Sequence, residues 1–105
     1  MGIYMENHEY SKKYPYLTIE KFDVSDKTWL PLVEKLFEYA NDFNSTADIN
    51  DRIYFVEVKE KYGSYRLYYF NGDEYFDGMV YMVEQLTSDL YKRNKELGLG
   101  KGKDE

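Results

Sequence analysis

The sequence predicts an α+β fold: a single small domain of β-α-β-β-α order, with a central β-hairpin packed against two amphipathic helices. Three observations predict it. Trp29, Leu32, Val33, Leu36, Phe37, Ala40 and Phe43 recur at steps of three and four residues, which marks one buried helical face. Residues 53–61 and 65–70 alternate apolar with polar around Tyr62-Gly63, the pattern of two strands joined by a tight turn. Phe76, Met79, Val80, Val83, Leu86 and Leu90 then return to helical spacing.

Taken in order, residues 1–16 have little periodicity and read as an N-terminal arm that lays Tyr10, Tyr14 and Tyr16 over the body. Residues 17–24 (LTIEKFDV) form a candidate strand. The first helix follows, with Ser25, Asp26 and Thr28 as candidate N-caps, because their oxygens accept first-turn N–H groups. Pro31 falls in the first turn, where its missing donor costs nothing. Residues 44–51 (NSTADIND) are a polar connection rich in turn formers. A turn centred on Tyr62-Gly63 sets Val58 opposite Leu67 and Val56 opposite Tyr69 on a core face. It sets Lys59 opposite Arg66 and Glu57 opposite Tyr68 on a solvent face. Asp73 is the natural N-cap of the second helix, which carries acids at its start and Lys92, Arg93 and Lys95 near its end, as the helix dipole favours. The domain spans 17–95, and 96–105 (ELGLGKGKDE) read as a flexible tail.

Composition narrows the function. The chain has 105 residues, 13 of them Tyr, no Cys, and a net charge of −6. That length suits one modest core. Sulfur-based zinc sites and thiolate catalysis are excluded. His8 is the only histidine, which removes the usual nucleophile–histidine schemes and transition-metal sites. The acidic balance argues against direct DNA or membrane binding. No apolar run approaches a membrane span, and no secretory signal opens the chain, so a cytoplasmic, non-enzymatic protein without cofactor or metal is expected. Tyrosine buries a flat body and keeps a polar tip, which suits a binding surface; an aromatic core is the plainer use of the same residues.

Two constellations carry chemistry. Lys59, Lys61 and Arg66 cluster on the hairpin with Tyr68. A pair of cations directly opposite is mildly destabilising, so its presence suggests an anion or nucleotide site, with Tyr68 stacking or hydrogen-bonding. A solvated hairpin face balanced by Glu57 and Glu60 is the simpler explanation. The second constellation is acidic: Glu34, Glu38 and Asp42 on the first helix, and Asp73, Glu74, Asp77 and Glu84 on the second. Asp73, Glu74 and Asp77 have the oxygen chemistry of a Mg²⁺ or Ca²⁺ site, though helix capping explains them without a metal.

Trp29-Leu30-Pro31-Leu32-Val33, then Val58-Lys59-Glu60-Lys61-Tyr62-Gly63, Arg66, Tyr68-Tyr69, Gly72-Asp73 and Asp77-Gly78-Met79-Val80 resemble a family of small phage proteins. Its pattern is W-x-P-I-V-x-x-L, then V-K-E-K-F-G-x-L-R-F-Y, then G-D and a helix opening I-x-G-M-V. The resemblance covers residues 29–86. Many members continue into a Cys-containing tail that this chain lacks, so no metal role carries over. The resemblance implies phage origin rather than a mechanism, with the host cytoplasm as the place of action. In that setting the acidic, tyrosine-rich surface suggests a counter-defence inhibitor of anti-CRISPR type. Its acids, with Tyr68, would bind a host immune effector such as a CRISPR nuclease and block nucleic-acid access. The alternatives are a sponge that sequesters a nucleotide-derived immune signal on the basic hairpin, and a structural or regulatory phage protein that forms a homodimer.

Overall fold

The structure is a computed structural model that describes residues 9–97. It has the expected α+β architecture. Residues 9–13 form a short helix, α1. Two-residue strands β1 (Thr18–Ile19) and β2 (Phe22–Asp23) follow, then helix α2 (Leu30–Ser45), a 3₁₀ turn at Ile49–Asp51, strands β3 (Tyr54–Lys61) and β4 (Ser64–Phe70), and helix α3 (Glu74–Glu96). β3 is the central strand. β4 lies antiparallel on one side, while β1 and β2 pair with it in parallel. Both short strands keep one register, Ile19 beside Phe55 and Phe22 beside Val58. The expected strand over 17–24 is therefore one edge strand interrupted at Glu20-Lys21.

The hairpin turn is as read from the sequence. Tyr62 and Gly63 both have positive φ, 57° and 81°, the two-residue turn whose twist matches paired strands. Val58 faces Leu67, Lys59 faces Arg66 and Glu57 faces Tyr68. The expected pairing of Val56 with Tyr69 is not found: a bulge between Phe55 and Glu57 sets Phe55 against Tyr69. The bulge brings Phe55 rather than Val56 into the core, and Phe55 is fully buried.

Helices and sheet enclose one core on a single sheet face. Aromatic rings run through it edge to face, from Tyr10 to Phe37 (5.1 Å), Phe37 to Phe55 (5.3 Å), Phe55 to Phe76 (5.9 Å) and Phe76 to Tyr69 (5.0 Å). Much of the tyrosine and phenylalanine content is thus structural. Tyr10 and Tyr14 belong to this core, whereas Tyr16 is exposed. Of the expected apolar face of α2, Val33, Leu36, Phe37 and Ala40 are buried, and Trp29, Leu32 and Phe43 pack half-buried at its margin.

Three local expectations are corrected. None of Ser25, Asp26 and Thr28 caps α2; Trp29 holds the N-cap position without a side-chain bond. Asp26 Oδ1 instead accepts from the Thr28 N–H (3.0 Å) and hydroxyl (2.6 Å), closing a turn just before the helix. On α3, Leu86 is exposed and Leu90 half-buried, and Thr87 is buried in their place. The sheet edge dictates this: the Tyr65 N–H donates to Thr87 Oγ1 (3.1 Å) and the Leu67 N–H to Glu84 Oε2 (2.9 Å). α3 therefore closes the free edge of β4. Finally, α2 runs through Asn44, which the sequence placed in a loop. Asn44 is fully buried; it donates to the Tyr16 and Ile53 carbonyls (2.9 Å each) and accepts from the Ile53 N–H (2.7 Å).

Candidate functional site

Among the described residues, no element covers the face of the sheet turned away from the helices. Register places Tyr54, Glu57, Lys59 and Lys61 of β3 and Arg66, Tyr68 and Phe70 of β4 on it, with Asp23 beside Lys59. Tyr68 is 48% and Phe70 62% exposed. Phe70 and Tyr54 face each other with centroids 6.3 Å apart. Lys59 Nζ lies 5.9 Å over the Tyr68 ring and Lys61 Nζ 5.6 Å over Tyr62, within cation–π range. The arrangement is graded: aromatic rings at one end, cations at the turn end.

Among the described residues no carboxylate forms an ion pair with Lys59, Lys61 or Arg66. Arg66 Nη1 donates to Ser64 Oγ (3.2 Å) and the Tyr65 carbonyl (3.1 Å). Lys35 and Glu38 form an ion pair on α2. Glu60, expected to balance the hairpin charge, points the other way. Its Oε1 accepts from the Ser25 and Asp26 N–H groups (2.9 and 2.8 Å), and its Oε2 from the Gly63 N–H (2.8 Å). Glu60 ties the turn to the segment before α2, which leaves Lys59, Lys61 and Arg66 on a face whose acids are Asp23, Glu57 and, beside Tyr54, Glu20. Burial, reinforced by the nearby Glu20 carboxylate, raises the Tyr54 pKa, so that hydroxyl stays neutral on the face.

Four members of the acidic set are engaged in hydrogen bonds within the fold. Glu34 accepts from the Tyr10 hydroxyl (2.8 Å), and Asp77 from Tyr69 (2.6 Å). Asp73 caps α3 through the Phe76 N–H (2.8 Å) and also accepts from Tyr39 (2.7 Å). The Tyr39 hydroxyl, then the Phe76 N–H, hold the Asp73 carboxyl below its ordinary value. Glu84 serves the β4 edge. Glu38, Asp42 and Glu74 are exposed, and Glu38 pairs with Lys35 at 3.6 Å. Among the described residues no group of three His, Cys, Asp or Glu side chains could hold a metal ion.

Sequence reasoning found Lys59, Arg66 and Tyr68 together but missed Tyr54 and Phe70. Their signal is the same register: opposite residues share a face, and 54 stands opposite 70. No family model matches the chain, and no curated protein or solved structure does either. No helix among the described residues is long and apolar enough to cross a membrane.

Proposed function

We propose that this chain is a non-enzymatic binding protein whose open sheet face holds a nucleotide. The base stacks on Tyr68 or over the Tyr54–Phe70 pair, and the phosphates meet Lys59, Arg66 and Lys61. The observation that carries this reading is three cations without a carboxylate partner among the described residues, beside exposed rings, in a chain of net charge −6. Base–aromatic stacking and charge-assisted phosphate contacts are the standard elements of such recognition. The overall negative charge disfavours a long polyanion, so a small nucleotide fits better than a nucleic-acid strand. In the phage setting that the motifs suggest, the activity would be sequestration of a nucleotide-derived immune signal.

Calorimetry with AMP, ATP and cyclic di-AMP as probes tests it. Each charge-assisted phosphate contact is worth about 1.5–3 kcal/mol, so Lys59→Glu with Arg66→Glu should weaken binding by more than about 100-fold. Failure of every probe to bind, or unchanged binding in that variant, would overturn the reading.

Exposed Glu38, Asp42 and Glu74 favour a second reading, the inhibitor that occupies the nucleic-acid channel of a host immune effector. Charge reversal at Glu38 and Asp42 would weaken that complex and leave nucleotide binding untouched.

A further inference from the structure

Helix α3 carries an apolar seam that nothing in the described chain covers. Tyr75, Met79, Met82 and Leu86 recur at steps of four, three and four residues, the spacing by which one helix presents itself to another. Met79 packs against the core, but Tyr75 is 78% and Met82 63% exposed. Beside the seam, an apolar groove of about 480 Å³ runs between α2 and α3, with Leu32, Lys35, Gly78 and Met82 on its walls. Gly78 is the independent observation. Glycine is a poor helix residue, yet a Cβ built there meets nothing within 4 Å. No contact among the described residues requires the missing side chain; close approach by another molecule would.

A second copy of this chain fits the seam. Gly78 and Leu86 stand four residues to either side of Met82. An antiparallel α3 crossing at Met82 lays each Leu86 over the other's Gly78, twice by symmetry, as a two-fold contact demands. The two Met82 side chains meet at the axis, where a flexible thioether adapts well. Charge is self-complementary too. Arg93 continues the seam eleven residues beyond Met82, so it reaches the start of the facing α3, where Glu74 is exposed. The geometry points to a homodimer of antiparallel α3 helices crossing at Met82. Such a dimer leaves the open sheet face of each copy free, so it does not depend on what that face binds.

Sedimentation velocity at several hundred micromolar tests it. The full chain should sediment at twice its 12.7 kDa mass. Gly78→Gln fills the notch with a better helix former, so it should give a monomer with helical circular dichroism intact. Arg93→Glu should weaken the dimer, and adding Glu74→Arg should restore it. A monomeric wild type, or a Gly78→Gln variant that stays dimeric, would overturn the dimer. A charge swap that restores nothing would overturn the antiparallel arrangement.

Discussion

Asn44 is the best place to test the packing account. Its side chain serves three backbone groups: the Ile53 N–H, the Ile53 carbonyl and the Tyr16 carbonyl. These bonds join the end of α2 to the approach to β3 and to the segment before β1. Asn44→Ala strands all three. A buried polar group left without a partner costs about 1–3 kcal/mol. The Tyr16 carbonyl is only partly buried and can recruit water, so the expected loss is about 3–5 kcal/mol for the three groups together. That is a large share of the ~5–15 kcal/mol typical of a domain. In urea the midpoint should fall by about 2–3 M with little change in slope. Asn44→Asp keeps the acceptor but loses both donors and sets a carboxylate against two carbonyls, so it should fall at least as far at neutral pH. A loss below about 1 kcal/mol for Asn44→Ala would refute the reasoning, because it would mean those groups are satisfied without Asn44.

Other outcomes follow from single contacts. The Asp73 carboxyl is held below its ordinary value of 3.8, so its stabilisation is complete above that pH and is lost as pH falls through the lower folded value. Tyr39→Phe should flatten this acid limb in pH-dependent urea unfolding; an unchanged limb would contradict it. Burial and the neighbouring acids Glu60 and Asp77 raise Tyr65 and Tyr69 above the ordinary 10.0. The folded state thus keeps neutral phenols that the unfolded chain ionises, and stability present below pH 10.0 is lost as pH rises beyond it. A late phase of phenolate absorbance should coincide with loss of ellipticity, and full titration near pH 10.0 in the folded protein would contradict this. Gly72 has φ of +106°, and a Cβ there would sit 3.1 Å from Phe76 Cδ2 and 3.4 Å from Ile53 Cγ1. Gly72→Ala should therefore cost about 1–3 kcal/mol, and an unmoved thermal midpoint would argue against that backbone geometry.

How much of this the sequence carried depends on the range of the interactions. The hairpin register was legible because alternation and the Tyr62-Gly63 turn are local and agree. The bulge was not, since Phe55 and Val56 are both apolar and either satisfies the pattern. On α3, Leu86 and Leu90 match helical periodicity as well as Thr87 does. Thr87 takes the buried place because a β4 edge N–H needs an acceptor, a demand set by tertiary packing. Glu60 looked like a balancing surface acid because its partners, the Ser25 and Asp26 N–H groups, stand 35 and 34 residues away. The Asp73 cap was legible because it is local, whereas the hydroxyl and N–H partners of Glu34, Asp77 and Glu84 lie on other elements and were not. Within the candidate site, Lys59, Arg66 and Tyr68 followed from register. Tyr54 and Phe70 needed the knowledge that the helices all pack on the other side.

The most direct test of the open-face account is amide chemical-shift mapping of the labelled protein titrated with cyclic di-AMP, AMP and ATP. The account expects saturable shifts at Tyr54, Lys59, Arg66, Tyr68 and Phe70, abolished by Lys59→Glu with Arg66→Glu. Shifts confined to α2 and α3, or none with any of the three nucleotides, would contradict it.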